Sequence, residues 1–383
     1  MTATLKRSIP FLDLAAASRE LAPRIEAALL RVARSGQYIG GPEVAMFETD
    51  WAAYCGAKHA VGCGNGLDAV TLALRACGVG PGDGVIVPAH TFVATWHAIA
   101  ALGARVQPVA VDPVTMVMDP KAAAAAIDST TRVILPVHLY GQPAPMDRLL
   151  ALARDTGLKV VEDAAQAHGT RFRDRPIGAH GDAVAWSFYP AKTLGALGDG
   201  GAVTTDDPKI ADRIRRLTNY GATAKYDAVE LGINSRLDPL QAAVLAVKLR
   251  HLTTWVARRA RIAGIYAEEL AETGLALPVT LPGTDPSWHL YVVRHAHRDR
   301  LAARLADVGI GTGIHYPISC HRQGAHRGIS INRQALTQAD RISETVLSLP
   351  MGPHLPEEDA RRVADVLRAA LCPPCALCWP LSP

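Results

Sequence analysis

Two segments of the sequence place polar side chains where buried strands are expected to end. VVEDAAQAHG carries Glu162 and Asp163 after an apolar run, and AVAWSFYPAKTLGALGDGG carries Ser187 and Lys192 after another. In an open α/β sheet, ligands bind at the carboxyl ends of the strands. A carboxylate there can bind a metal, a ribose or a ring nitrogen, although an Asp at a strand end is also a common helix cap. A lysine beside glycines after a core strand is either a surface residue or a functional one.

A third segment, VGCGNGLDAVTLALRACG, has the order strand, Asn-Gly turn, helix. Gly64 and Gly66 allow a ligand to approach the backbone closely. The first N–H groups of the helix and its positive dipole end favour a phosphate. The pattern is neither a Walker motif nor GxGxxG, and Asp68 in the first helical turn serves equally well as a capping charge.

These three segments together are the parts that a pyridoxal-phosphate (PLP) enzyme needs. PLP requires a lysine for the Schiff base, an acid that keeps the pyridine nitrogen protonated, and a site for the phosphate. The sequence therefore predicts PLP as the cofactor, with Lys192 as the Schiff-base lysine and Asp163 as the partner of the ring nitrogen.

The elements that must position these residues alternate along the chain. From Ala57 to Asp206, seven short β-rich runs are separated by helix-like stretches, which predicts an α/β fold with a mostly parallel seven-stranded sheet sandwiched by helices. After Asp238 comes one long helical pattern, then the strand-like HLYVVRH and further helices, which predicts a smaller α+β domain. We expect a large domain over residues 1–250, including the N-terminal segment, and a small C-terminal domain over residues 251–383.

Composition excludes several other classes of protein. The 383 residues carry 40 basic and 36 acidic side chains with no basic run, so nucleic-acid binding is not expected. Apolar stretches stay well below the roughly 20 residues of a membrane helix, and the N-terminus has no signal-like core, so we expect a cytoplasmic protein. The tail LCPPCALCWPLSP has Cys372, Cys375 and Cys378 at metal-like spacing but no partner group nearby; we expect a disordered tail and no metal.

The sequence resembles the nucleotide-sugar aminotransferase family (the DegT/DnrJ/StrS group) of fold-type I PLP enzymes. The resemblance extends from Ile9 to the final helix. The segments that carry it, in order, are IGGPEVAMFE, GNGLDA, VIVPAHTFVATW, ILPVHLYGQPAPM, VEDAAQAHG, SFYPAKTLGALGDGG, GINSRLDPLQAAVL and GIHYP. One departure is PAKTLGA, with Ala191 and Thr193, where the family usually has PGKNLGA.

The resemblance implies a role for each of several residues. Lys192 would carry the cofactor and move the proton, Asp163 would pair with the ring nitrogen and Gln166 would bond to the phenolic oxygen. The remaining implied contacts are Phe92 stacking on the ring, Ser187 with the backbone of Gly66 and Leu67 holding the phosphate, and Asn234 and Arg236 reaching the cofactor of the neighbouring subunit. A homodimer with shared active sites follows. The implied sugar contacts are Tyr220, Tyr226, His315 and Tyr316; for these and for Phe92, an ordinary loop or core aromatic is the alternative.

The implied reaction transfers an amino group from L-glutamate to a keto-sugar. GNGLDA and the ATW after HTF resemble the carbon-3 aminotransferases, which act on dTDP-3-keto-6-deoxyhexoses and supply amino sugars such as desosamine or mycaminose. The alternatives are a carbon-4 aminotransferase, a PLP-dependent sugar dehydratase and a non-catalytic PLP-binding regulator. Dehydratases of this fold replace the lysine with histidine, and a regulator needs no intact Lys–Asp pair, so Lys192 argues against both.

Overall fold

The computed structural model describes residues 8–329 and 332–371. Within these residues the helices are α1 (Leu14–Ser35), α2 (Pro42–Cys55), α3 (Gly66–Ala76), α4 (Val93–Ala100), α5 (Pro120–Ala125), α6 (Met146–Thr156), α7 (Pro208–Leu217), α8 (Pro239–Leu249), α9 (Leu252–Glu269), α10 (Arg298–Ala306), α11 (Arg333–Thr345) and α12 (Glu357–Leu371). The strands are β1 (His59–Cys63), β2 (Gly84–Pro88), β3 (Arg105–Val109), β4 (Thr131–Ile134), β5 (Lys159–Asp163), β6 (Arg171–Phe172), β7 (Arg175–Pro176), β8 (Ala183–Ser187), β9 (Gly201–Thr205), β10 (Ala222–Ala224), β11 (Asp227–Ala228), β12 (Thr284–Asp285), β13 (Tyr291–Arg294) and β14 (Val346–Leu349).

The central sheet has seven strands in the order β1-β9-β8-β5-β4-β2-β3. These are the seven strands expected from the sequence, and the prediction of a mostly parallel α/β sheet is confirmed. Strand β9 pairs antiparallel with both β1 and β8, and the other neighbouring pairs are parallel. Six strands therefore point the same way, and their carboxyl ends meet at one edge of the sheet.

Helices cover both faces of this sheet, which explains why the strands read as unbroken apolar runs. Successive residues of a strand point to opposite faces. Val160 and Val184 accordingly belong to one core cluster, with Trp186, whereas Val161 and Ala185 belong to the cluster on the other face. The result is a sheet buried on both sides, with polar groups concentrated at its edge.

A smaller sheet and a separate core follow the central sheet in sequence. Strands β13 and β14 pair antiparallel, from Tyr291 opposite Leu349 to Arg294 opposite Val346. Residues of α9, α10 and α12 form a third apolar cluster around them, which Ile9 joins from the N-terminal end of the described chain. The division expected at residue 250 stays a prediction.

The prediction of a single long helix from Pro239 is wrong. The chain forms α8 and α9 instead, separated at Arg250 and His251, where His251 adopts φ −107° and ψ −7°. The physical reason is tertiary packing, because α8 packs against α1 and α2 while α9 packs against α12. A local apolar period carries no information about such a change of partner.

Two further expectations concern membrane-spanning helices and the C-terminal cysteines. None of the helices in the described part combines the length and apolarity that crossing a bilayer requires. The tail with Cys372, Cys375 and Cys378 lies outside the described residues.

Candidate functional site

The carboxyl ends of β1, β2, β4, β5 and β8 open into a cavity of about 360 Å³. Nine of the residues named from the sequence line it: Gly66, Leu67, Phe92, Asp163, Gln166, Ser187, Lys192, His315 and Tyr316. They come from five separate stretches of the chain. The fold therefore brings together the lysine, the acid and the glycine turn that the sequence analysis singled out.

One wall of the cavity is the turn between β1 and α3. Gly66 begins α3, and the Asn65 side chain caps the helix by accepting a hydrogen bond from Asp68 N at 2.9 Å. A β-carbon on Gly66 would lie 2.5 Å from Cβ of Ser187, so only glycine lets the turn approach the end of β8 this closely. The helix N-terminus and the Ser187 hydroxyl thus form a compact cradle with the donors that a phosphate needs.

Asp68 has a structural role within this turn. Its carboxylate accepts hydrogen bonds from Asn65 Nδ2 at 3.0 Å and from Ser235 Oγ at 2.6 Å. Ser235 Oγ in turn accepts from Gly64 N at 2.9 Å. The capping interpretation of Asp68 therefore agrees with its contacts, and Ser235 attaches the GINSR segment to the same turn.

The two adjacent carboxylates of β5 point to opposite faces of the sheet. Asp163 lines the cavity, where its Oδ2 accepts a hydrogen bond from Thr95 Oγ1 at 2.8 Å and its Oδ1 accepts from Ala165 N at 3.1 Å. Glu162 is buried on the other face, 2.9 Å from His138 Nε2 and 2.6 Å from Gly181 N. Of the two acids, Asp163 alone is placed to meet a ligand in this cavity.

The Glu162–His138 pair is a buried structural contact. His138 Nδ1 accepts a hydrogen bond from Ala144 N at 3.0 Å, so the ring carries its hydrogen on Nε2 and donates it to Glu162. Burial is the largest influence on Glu162 and would raise its pKa, but the hydrogen bonds from His138 and Gly181 N together with the nearby His138 and His180 rings outweigh burial, and the pKa is lowered. The pair fastens the segment after β4 to β5, behind the cavity.

Lys192 lies in the loop that joins β8 to β9. Lys192 N bonds to Tyr189 O at 2.8 Å and Ala196 N bonds to Phe188 O at 2.8 Å, so the loop is a tight turn of its own. Burial lowers the pKa of Lys192 to about 8, and the nearby charge of Asp163 opposes this shift only in part. An amine with a lowered pKa is unprotonated more often near neutral pH, which is the form that reacts with a carbonyl group.

The orientation of the Gln166 amide follows from its contacts. Its Oε1 accepts a hydrogen bond from Tyr140 N at 2.6 Å, so its amino group faces the cavity and donates to Tyr316 Oη at 2.9 Å. Tyr140 Oη is 2.8 Å from His90 Nε2 and also bonds to the carbonyl of His315. Tyr140 therefore connects Gln166 with the GIHYP segment.

Aromatic rings border the mouth of the cavity. The rings of Phe92 and Tyr316 have centroids 5.1 Å apart. Phe92 is 48% exposed, which is incompatible with a core aromatic and leaves its face available to a ligand. His315, on the same segment, bonds through Nδ1 to Ser348 Oγ at 2.8 Å, and burial lowers its pKa to about 4.

Four residues named from the sequence lie away from this cavity in the single chain. Arg236 bonds through Nη1 to Asn219 Oδ1 at 2.9 Å, and its guanidinium is 5.8 Å from the centre of the Tyr220 ring. Tyr226 is 94% exposed, and Asn234 is exposed in an isolated bridge to Asn219. The single chain therefore brings none of these four side chains to the cavity.

Sequence reasoning missed three residues of the site. Thr95 stands in the quoted ATW segment, one helical turn after Phe92, but its partner Asp163 is distant in sequence. Tyr140 has no local signal. His289 was noted only as part of a strand-like run; it lines the cavity with its Nδ1 buried and without a hydrogen-bond partner among the described residues. Burial and the charges of Lys192 and Arg259 lower its pKa well below the usual range.

Comparison with known proteins agrees with this geometry. Residues 20–368 match the DegT/DnrJ/EryC1/StrS aminotransferase family. The dTDP-3-amino-3,4,6-trideoxy-alpha-D-glucose transaminase of Streptomyces venezuelae is 50% identical over 361 residues, which cover 94% of this chain and 95% of that protein. The erythromycin biosynthesis sensory transduction protein EryC1 of Saccharopolyspora erythraea is also 50% identical, over 362 residues that cover 94% of this chain and 99% of that protein.

Among solved structures, S. venezuelae DesV in complex with a ketimine intermediate superposes on this chain with a TM-score of 0.93 at 50% identity. The superposition covers 95% of this chain and 98% of that one. With both sequence and fold shared over nearly the full length, this chain is an aminotransferase that belongs to the DegT/DnrJ/EryC1/StrS family.

Proposed function

We propose that this aminotransferase uses pyridoxal 5′-phosphate to move an amino group from L-glutamate to carbon 3 of a dTDP-3-keto-6-deoxyhexose. The observation that carries the proposal is the meeting of Lys192, Asp163 and the Gly66 turn around one cavity. The 50% identity to a protein named as a dTDP-3-amino-3,4,6-trideoxy-alpha-D-glucose transaminase supports the substrate class.

The residues present fit PLP group by group. The cradle formed by Gly66 and Ser187 would fill with a β-carbon if Gly66 were any other residue, and its free N–H groups suit the phosphate. Asp163 offers a carboxylate to the pyridine nitrogen, and the Gln166 amino group offers a donor to the phenolic oxygen. When bound, PLP supplies an aldehyde for amine exchange and an electron sink for breaking a C–H bond.

The chain itself supplies orientation and proton transfer. Lys192 Nζ, with its pKa lowered to about 8, would accept the proton of the donor's α-carbon. In the second half-reaction the same amine would deliver a proton to the sugar carbon. Phe92 and Tyr316 line the cavity with their ring centroids 5.1 Å apart, where they would shield a bound ligand from water.

Replacement of Lys192 tests this assignment directly. Lys192→Ala is expected to abolish transamination and the absorbance of lysine-bound cofactor while the protein stays folded. Lys209→Ala, an exposed lysine on α7, is the matched control and should keep both. Full turnover by Lys192→Ala with glutamate and keto-sugar would contradict the proposal.

The choice of carbon 3 rests on resemblance and on position. Leu67 of GNGLDA and Phe92 and Ala94 of HTFVATW all line the cavity, where they would contact both the cofactor and the sugar. Since the same chemistry acts on either ketone, the carbon held about 3–3.5 Å from the amine is the one aminated. The test offers the 3-keto and 4-keto forms of dTDP-6-deoxyglucose separately with glutamate, and a preference for the 4-keto form would make this a carbon-4 aminotransferase.

A homodimer with shared sites is part of the proposal. Burial alternates along the extended GINSR segment, with Ser235 and Leu237 buried and Asn234 exposed. Ser235 thus bonds to the phosphate turn of its own chain while Asn234 and Arg236 point outward. Mixing Lys192→Ala subunits with subunits of an Asn234→Ala and Arg236→Ala double variant is expected to restore activity, and heterodimers without recovery would contradict a shared site.

The competing functions are a dehydratase and a non-catalytic regulator. One relative carries a regulatory name, so the second alternative has its own motivation. A single absorbance spectrum before and after adding glutamate tests the transaminase against a non-catalytic regulator, because a regulator does not convert the cofactor to its amine form. A cytoplasmic location and a two-domain division at residue 250 complete the proposal.

A further inference from the structure

Lys248 is a buried lysine outside the cavity. It lies on α8 with 4% of its surface exposed, and its Nζ donates to the carbonyl oxygen of Gly195 at 2.6 Å. Within residues 8–329 and 332–371 this is the one hydrogen bond of that ammonium group. Burial lowers the pKa of Lys248 to about 8. Lysines are seldom buried in this way without a partner that makes use of the charge.

The partner of Lys248 belongs to the loop that carries Lys192. A β-carbon on Gly195 would lie 2.3 Å from the carbonyl oxygen of Pro190, so the loop closes tightly on itself at this point. Its internal bonds include those already described, from Lys192 N to Tyr189 O and from Ala196 N to Phe188 O, and one from Phe188 N to Gly200 O. These internal bonds do not use the Gly195 carbonyl oxygen. It accepts the hydrogen bond from Lys248 of α8 instead.

A second side chain of α8 also forms a hydrogen bond with this loop. The Oε1 atom of Gln241 accepts a hydrogen bond from Leu197 N at 2.8 Å. Gln241 and Lys248 are seven residues apart, which places them on one face of the helix. That face therefore bonds the loop at two points, on the carbonyl of Gly195 and on the amide of Leu197.

The segment leading into α8 reaches the opposite wall of the cavity. Ser235 precedes the helix and bonds to both Gly64 N and Asp68 Oδ2 of the turn before α3. Helix α8 and the segment before it thus connect the loop that carries Lys192 to the turn between β1 and α3. Movement of one relative to the other requires breaking these bonds.

We propose that Lys248 is a positioning residue that holds the loop at Gly195 so that the amine of Lys192 stays directed into the cavity. The hydrogen bond between Lys248 and Gly195 is independent of the reaction assigned to the site. The effect of this bond on turnover rests on the function proposed above.

The direct test is hydrogen–deuterium exchange in the protein without cofactor. Lys248→Met keeps a chain of similar length and removes the donors, which leaves the Gly195 carbonyl unpaired. Exchange at the amides of Lys192, Ala196 and Leu197 is expected to become about tenfold faster, because their protection depends on local opening of the loop.

The matched control is Leu249→Ala. This neighbouring residue of α8 is buried in the apolar core and makes no bond to the loop, so its truncation lowers the unfolding midpoint by loss of packing alone. Relative to core amides, exchange in residues 189–198 should rise in Lys248→Met and stay unchanged in Leu249→Ala. Equal loop exchange in the wild type and Lys248→Met, or the same relative rise in both variants, would overturn the proposal.

The loaded enzyme provides a second measurement. The pH at which the absorbance of lysine-bound cofactor changes reports the surroundings of Lys192, and it should shift in Lys248→Met but not in Leu249→Ala. We expect kcat to fall about tenfold, equivalent to about 1.4 kcal/mol, with KM for the sugar changed less than kcat. An unshifted titration together with an unchanged kcat would contradict positioning of the amine.

Two outcomes are kept apart by this design. If the wild type binds no PLP but loop exchange is still faster in Lys248→Met, the proposed function is wrong and the role of Lys248 in holding the loop is supported. If Lys248→Met does not fold, Lys248→Gln takes its place, because the glutamine side chain is one bond shorter and cannot bring a donor to the Gly195 carbonyl oxygen at the 2.6 Å of the lysine contact. Unchanged loop exchange in that variant would overturn the proposal equally.

Discussion

The hydroxyl group of Thr95 donates a hydrogen bond to Oδ2 of Asp163 across 2.8 Å, inside the cavity wall. A carboxylate can only accept, so the hydrogen of Thr95 must point toward Asp163. Thr95 Oγ1 then accepts from the hydroxyl of Thr91, 3.1 Å away. The two threonines form a short directed chain that holds the Asp163 carboxylate in one orientation.

Removal of the Thr95 hydroxyl should therefore impair catalysis more than cofactor binding. Thr95→Val keeps the shape of the side chain, and we expect kcat to fall about tenfold, or about 1.4 kcal/mol in activation free energy. Thr95→Ser keeps the donor and should stay close to the wild type. Steady-state kinetics with the keto-sugar and glutamate measure the difference, and a wild-type kcat in Thr95→Val would mean that Asp163 needs no such support.

Asp163→Asn should have a larger effect. The amide cannot stabilise a positive ring nitrogen as a carboxylate does, so we expect PLP to remain bound while turnover drops by orders of magnitude. Each tenfold loss corresponds to about 1.4 kcal/mol of transition-state stabilisation. Absorbance reports the bound cofactor and single-turnover rates report the chemistry. A rate near that of the wild type would leave Asp163 as a structural cap only.

Gly66→Ala should weaken cofactor binding selectively. The added β-carbon would lie 2.5 Å from Cβ of Ser187, so the turn must move away from β8 and open the cradle. We expect the dissociation constant for PLP to rise at least about tenfold, as one lost charge-assisted contact would give. Gly80→Ala is the control, since a β-carbon there meets nothing within 4 Å. Equal affinities of the two variants would contradict a phosphate site at this turn.

The buried charge of Lys248 predicts a pH dependence of stability. Its pKa of about 8 in the folded protein lies below the ordinary value of 10.5. Below pH 8 the folded protein carries the full cost of the buried charge. As the pH rises from 8 toward 10.5, the folded chain loses a proton that the unfolded chain retains, so the free energy of unfolding increases from this group.

Lys248→Met lacks this contribution. The difference in unfolding free energy between the wild type and Lys248→Met should therefore move in favour of the wild type by about 1–2 kcal/mol between pH 7 and pH 9.5. Denaturant unfolding of both cofactor-free proteins at several pH values measures it. Parallel pH curves for the two proteins would show that Lys248 titrates normally.

Local pattern was sufficient for the sheet and for the principal residues of the cavity. Each of the seven strands is a short apolar run bounded by turn residues, and an acid at the end of one of them and a lysine soon after another stand out against that background. Each of these signals lies within a few residues of the strand that precedes it in the sequence. Lys192, Asp163 and Gly66 were identified because each ends or begins such an element.

The remaining residues depend on contacts between distant parts of the chain. Thr95 acquires a role only because the fold brings its hydroxyl group to Asp163 at the end of β5. Lys248 looks like any polar position of an amphipathic helix until the loop at Gly195 is placed against it. The break at Arg250 and His251 has the same origin, since both helices continue one apolar period and only their packing partners differ. No local period or motif encodes such pairings.

The antiparallel strand β9 has a consequence for how the enzyme is assembled during synthesis. The Lys192 loop joins β8 and β9, which are adjacent, so a nascent chain can form it from local contacts soon after Thr205 has left the ribosome. The glycine turn is translated much earlier but follows β1, whose ladder partner in the central sheet is β9. The wall of the cavity at the glycine turn can therefore form only after β9, which is synthesised some 140 residues after β1. The part of the cavity that contains His315 and Tyr316 forms later still. A chain arrested before that point presents Lys192 without an enclosed cavity around it, and therefore without the burial that lowers the pKa of its amine.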